Sequence, residues 1–227
     1  MENIEKKKSG KKGCLIVGIL AVVFLLLIFI IAIATDDGND VSNNQKEEKE
    51  AVVDSFMIRH NDSLRLVEKK KIETEIKKFN AKYDDIEGTT WIYSKKKPYY
   101  SNSMGFYTYI GLNDNGYAWK RLVIRYHGDD WLFIKKIIVK TDNQTYTIDA
   151  SNSERDNNAD VWEWVDLSVG NVEDVIIQDI ISSKQTKVRF VGSQYHHDWI
   201  LSKKEVDGLK EIDDYYYLLN SYYTLNK

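Results

Sequence analysis

Residues 15–34 read LIVGILAVVFLLLIFIIAIA, twenty consecutive positions without a charge, and no other stretch restricts the chain's options as strongly. An α-helix rises about 1.5 Å per residue, so twenty residues span roughly the 30 Å of a hydrocarbon core. Sixteen of the twenty are Leu, Ile, Val or Phe, which favours insertion by about 5 kcal/mol or more. The run predicts a transmembrane helix. Lys6, Lys7, Lys8, Lys11 and Lys12 precede it, and Asp36, Asp37 and Asp40 follow. Lysine marks the cytoplasmic flank, so residues 1–14 are expected inside the cell membrane and residues 35–227 outside. Ala32-Ile33-Ala34 has the small-x-small form that a signal peptidase cuts after, and secretion after cleavage following Ala34 is the competing outcome. The run is longer than the roughly 7–15 apolar residues of a secretory signal, which favours a retained single-pass anchor.

Charge divides at the same place. The first 34 residues hold five Lys and two Glu, so 27 of the 32 basic and 33 of the 35 acidic residues lie beyond them, a net charge of −6. Such an acidic outer part argues against nucleic acid as a partner. Cys14 is the only cysteine and precedes the apolar run. The outer part therefore has no disulfide, and its core alone must hold it together; a chain of this size buries about 70% of its unfolded surface.

Residues 35–46 (TDDGNDVSNNQK) contain one apolar side chain, Val41, and predict a flexible stalk. A helical segment is expected over 47–87. Val53, Met57, His60, Leu64 and Val67 form one stripe, and Ile72, Ile76, Phe79, Tyr83 and Ile86 a second, out of register with the first. Two readings follow: helices packed on the domain beyond, or a coiled coil that makes a homodimer through 47–87. From Gly88 the period becomes two, and strands are expected at 89–94, 106–112, 117–127, 131–140, 144–148, 161–167, 187–191 and 194–201. The turns Asn113-Asp114-Asn115-Gly116 and His127-Gly128-Asp129-Asp130 predict antiparallel hairpins. Residues 151–160 read as a polar loop. Asn171 is expected to cap a helix over 171–182, with Glu173 and Asp174 in its first turn, a strand being the alternative. Ser202-Lys203-Lys204-Glu205 forms a capping box that opens the closing helix. The expected fold of 88–227 is α+β, an antiparallel β-sheet or sandwich with a C-terminal helix.

Glu87-Gly88-Thr89-Thr90-Trp91, Tyr109-Ile110-Gly111, Asp130-Trp131-Leu132-Phe133-Ile134, Val161-Trp162-Glu163-Trp164-Val165-Asp166 and Val188-Arg189-Phe190-Val191-Gly192 follow one another. With the closing helix, this succession resembles a group of uncharacterised bacterial and phage proteins over roughly residues 85–225. The resemblance implies an outer domain of that kind and brings no established activity, so it supplies no site residues.

The sequence has no Gly-x-Ser-x-Gly elbow, no His-Glu-x-x-His, no phosphate loop and no Cys-x-x-Cys. No cofactor is expected. His196 and Asp198 share one face of a strand and form the metal candidate, with His127 or Asp129 as third ligand. Arg125, Arg189, Glu163 and Trp164 form the binding candidate, a polar pocket for an anionic or sugar ligand, since arginine forks carboxylates and aromatic rings stack. The competing reading of those residues is cross-strand Arg–Glu pairing on a solvated face. All six Trp and fifteen Tyr lie beyond residue 80, where they serve a core or a rigid contact surface. Three functions are consistent with this: a membrane-anchored, non-enzymatic module binding an envelope protein or cell-wall polymer, an envelope hydrolase using His196 and Asp198, or a phage-encoded modifier of the host envelope.

Overall fold

The computed structural model describes residues 42–224. The expected cytoplasmic tail, the apolar run 15–34 and most of the stalk lie outside the described residues. Among the described residues no helix is long and apolar enough to cross a membrane. Contacts divide the chain between Arg59 and His60, and the unit His60–Lys227 holds every strand and the last two helices.

A single helix, α1 (Ser42–Glu75), runs through the whole first stripe, reaches Ile72 of the second, and begins inside the expected stalk. Glu, Lys and Arg abound there and neither Gly nor Pro interrupts, so nothing local stops the helix. A 3-10 turn, Ile76–Lys78, ends it. The second stripe then parts from expectation: Phe79–Asp84 is not helix but strand β1, antiparallel to β2 (Thr89–Ser94). Phe79 and Tyr83 are four residues apart, and four is one helical turn as well as two strand repeats. Their spacing therefore fits either structure. Pairing with β2 decides it, through a turn in which Asp84 Oδ1 accepts the Ile86 and Glu87 N–H groups and Gly88 takes φ 59°.

Two antiparallel sheets follow, so the α+β class and the C-terminal helix are as expected. The larger has the order β1-β2-β3-β4-β8-β7, with β3 at Gly105–Asn113, β4 at Ala118–Gly128, β7 at Glu154–Asn157 and β8 at Val161–Ser168. The smaller has the order β10-β9-β5-β6, with β5 at Lys136–Lys140, β6 at Thr145–Asp149, β9 at Lys187–Val191 and β10 at His196–Ile200. β7 lies inside the expected loop 151–160, as an exposed edge of four residues. β5 begins five residues later than the expected strand at Trp131, because Phe133 (φ 54°) breaks the extended backbone there.

One face of the large sheet carries Phe106, Ile110, Leu122, Ile124 and Val165, all buried. Ile137, Val139, Val188 and Phe190 of the small sheet join the same apolar core, as the two layers of a β-sandwich do. Helix α2 (Asn171–Ser182) adds Ile176 and Ile180. Helix α3 (Lys203–Thr224) covers the β1–β3 end, where Ile212, Tyr215 and Leu219 meet Phe79, Ile92 and Ile110. Each such side chain contributes about 1.5–3 kcal/mol on burial.

The helix termini follow the sequence with one change. Ser202 and Glu205 bond reciprocally at the start of α3. At α2 the cap is Gly170 rather than Asn171, and Glu173 Oε2 reaches back to the Gly170 N–H at 2.9 Å.

Candidate functional site

Strand alternation sends Trp91 and Tyr93 of β2, Tyr107, Tyr109 and Gly111 of β3, and Trp119, Arg121, Val123 and Arg125 of β4 to the face opposite the core. Register aligns them in rows: Tyr93 beside Tyr109 beside Arg121, and Trp91 beside Gly111 beside Trp119. The rings make a continuous run. Tyr93 stacks on Tyr109 at 5.0 Å, Trp91 lies 5.7 Å from Tyr109 and 5.6 Å from Trp119, and Trp119 stacks on Tyr117 at 5.9 Å. Gly111 makes this run possible. A methyl group there would come within 2.3 Å of the Trp119 indole, so only glycine lets that ring lie across β3.

Polar groups border the rings. Asp166 of β8 accepts the Tyr109 hydroxyl at 2.7 Å and the Arg121 Nε–H at 2.9 Å, while Arg121 also donates to Ser168 Oγ and to the Asp166 carbonyl. Burial, then the bond to Asp166, pushes the Tyr109 hydroxyl well above the usual tyrosine range. In the β2–β3 connection, Lys97 Nζ lies 5.2 Å from the Tyr93 ring centre and 5.3 Å from that of Tyr107, close enough for cation–π attraction. Arg125 ties this connection down by donating to the Ser103 and Tyr100 carbonyls at 2.7 and 2.9 Å. Trp91, Tyr93, Tyr107, Tyr109 and Trp119 are half-buried, and Tyr117 is exposed.

The four residues expected to form a pocket do not gather. Arg125 and Trp164 are opposite each other in register on the aromatic face. Glu163, one residue earlier on β8, points into the core and is fully buried. Its carboxylate accepts the backbone N–H groups of Leu132, Phe133 and Ile134 at 2.7, 2.8 and 2.9 Å. Adjacent strand residues face opposite ways, so Glu163 and Trp164 never share a face. Arg189 lies on the small sheet, where it forks its cross-strand partner Asp198 at 2.5 and 2.8 Å. It is an Arg–Asp pair rather than the Arg–Glu pair expected.

The metal candidate also lacks its third member. His196 and Asp198 do lie on one side of β10, but both Asp198 oxygens are taken by Arg189, with Lys187 at 3.6 Å. His127 is directed to Asp160 at 3.2 Å, and Asp129 is exposed in the turn after β4. Among the described residues no group of three His, Cys, Asp or Glu could hold an ion.

On the core side, Lys120 of β4 is almost fully buried. It donates to Asp174 of α2 at 2.6 Å and Asp213 of α3 at 2.5 Å, and Gln178 donates to the second Asp213 oxygen. One lysine thus fastens two helices to the sheet.

Lys97, Tyr93, Tyr107, Tyr109, Trp119, Arg121 and Asp166 were not singled out together by the sequence. The alternation Trp91/Tyr93 and Tyr107/Tyr109 was visible, but the alignment of one strand against the next was not. No family model, no curated protein and no solved structure matches the chain.

Proposed function

We propose that this chain is a single-pass membrane-anchored protein whose outer domain binds a ligand, without catalysis, on the aromatic face of the six-stranded sheet. The observation that carries the reading is the unbroken run Tyr93–Tyr109–Trp91–Trp119–Tyr117 across β2, β3 and β4. Large rigid rings give contact area at low cost in conformational entropy. Rings needed only for folding belong on the core side, where this sheet carries mainly aliphatic residues. Asp166, the acid among these rings, is held by Arg121 and Tyr109, an arrangement suited to positioning rather than proton transfer. The apolar run 15–34 supports attachment to the bilayer, with the lysines inside. An envelope protein or a cell-wall polymer is the expected partner.

Two measurements test this. Full-length protein in detergent is sedimented with insoluble cell-wall glycan. Trp91→Ala and Tyr109→Ala should each weaken retention about tenfold or more, in line with stacked-ring contacts of about 1–3 kcal/mol, while Arg189→Ala on the other sheet retains binding. Equal retention by all three variants overturns the face as the binding surface. Membrane pellets washed with alkaline carbonate should keep the protein, and a mature N-terminus at Thr35 would overturn the anchor.

A further inference from the structure

The aromatic run is electrically lopsided. Arg121, midway along it, is answered by Asp166. At the Tyr93–Tyr107 end stand two cations, Lys97 and Arg125. The Lys97 ammonium makes one long hydrogen bond, 3.4 Å to the Pro98 carbonyl. Arg125 is buried, donates to two backbone carbonyls and is hydrogen-bonded to the Tyr107 hydroxyl, all uncharged partners. Among the described residues no carboxylate forms an ion pair with either. Burial, with repulsion from Arg125, pushes Lys97 below the ordinary lysine range, so an anion arriving beside them would relieve an existing cost. Next to this positive spot lie half-buried rings 5.0–5.7 Å apart and tilted against one another by 21–89°, whose electron-rich faces attract the C–H side of a sugar where they are open. Residues 35–227 carry a net charge of −6, which disfavours a polyanion on average, so an acidic ligand gains from a local cluster of cations such as this one.

On the binding reading above, we infer that the face takes an acidic glycan. Sugar rings lie on Tyr93, Tyr109 and Trp91, and a ring-borne carboxylate or phosphate sits at Lys97 beside Arg125. Lys97 contacts the anion. Arg125 holds the Lys97-bearing connection in place and adds its charge from behind.

The test titrates full-length protein in detergent with three polymers, following tryptophan fluorescence: polygalacturonate for the carboxylate, phosphomannan for the phosphate, and unphosphorylated mannan as the neutral counterpart. At least one acidic polymer should bind about tenfold more tightly than mannan, with the preference shrinking as salt rises. Which acidic polymer wins identifies the anion. Lys97→Ala should erase the preference by weakening the acidic polymer about tenfold, and Lys97→Arg should restore it. Mannan bound as tightly as both acidic polymers, and unaffected by Lys97→Ala, overturns the acidic assignment. If Trp91→Ala still loses mannan in that case, the aromatic face itself stands. Binding of none of the three polymers overturns the glycan assignment, and the wall-sedimentation experiment then decides the face separately.

Discussion

Replacing Glu163 by Gln exchanges one carboxylate oxygen for an NH2 group and changes almost nothing in size. In the parent, Oε1 accepts from Leu132 and Phe133, and Oε2 accepts from Ile134. A glutamine keeps a single acceptor. Its best placement retains the Leu132 and Phe133 bonds and turns the amide nitrogen toward the Ile134 N–H, leaving two donors face to face in a site without solvent. An unsatisfied buried donor costs about 1–3 kcal/mol, and the two surviving bonds lose their charge assistance. The expected loss is about 2–4 kcal/mol. Phe133 is held at φ 54° in this turn, a strained conformation for a bulky residue that persists only while its surroundings enforce it. Chemical denaturation followed by circular dichroism should show a lower midpoint with an unchanged slope. Hydrogen exchange at the Leu132, Phe133 and Ile134 amides should accelerate with it. Glu154→Gln, on the exposed edge strand β7, serves as control and should shift stability by less than about 0.5 kcal/mol. If Glu163→Gln falls within that same range and the three amides keep their protection, the carboxylate does not organise the turn and the reasoning fails.

Lys120→Ala leaves Asp213 and Asp174 without their shared cation, and should cost about 3–5 kcal/mol in unfolding free energy. The double variant Lys120→Met/Asp213→Leu should recover most of it, and a double variant no better than Lys120→Ala would refute the pairing as the cause. The Arg189 guanidinium holds the Asp198 carboxyl down to about 2, below its ordinary 3.8. A depressed carboxyl stabilises the folded state above its unfolded value, so this contribution is complete above about pH 4 and disappears as pH falls toward 2. The pair is exposed, so solvent screening keeps its contribution to stability small. Carboxyl NMR should place the Asp198 midpoint near 2 and return it toward 3.8 in Arg189→Gln; a parent midpoint already near 3.8 refutes the assignment.

What the sequence disclosed and what it withheld follow from the range of the forces involved. Alternation and turn residues act over a few positions, and they announced β2, β3, β4 and β8 almost to the residue. The helix over 171–182 and the Ser202–Glu205 box were equally local. Phe79 and Tyr83 misled because a spacing of four satisfies both periods, and only pairing with β2 distinguishes them. Glu163 carried a signal in plain view. It falls in step with Val161, Val165 and Leu167, and a charge on the apolar side of β8 implies a buried, bonded carboxylate rather than a pocket wall. The aromatic face was hidden for another reason. Its rows exist only once Trp91, Gly111 and Trp119 are brought into register, and register between strands depends on pairing that no single segment encodes.

The position of α3 also sets an order of events during synthesis. β1 to β4 are consecutive and pair with their chain neighbours, so they can assemble as soon as they emerge. Their apolar side, with Ile92 and Ile110, is covered by Ile212, Tyr215 and Leu219, which are made only after the whole of the second sheet. Throughout that interval the nascent chain carries an uncovered greasy surface beside unpaired strand edges, the combination that invites aggregation or the attention of chaperones. A chain cut short within α3 would be left in that condition permanently, with its aromatic face built and its other side bare.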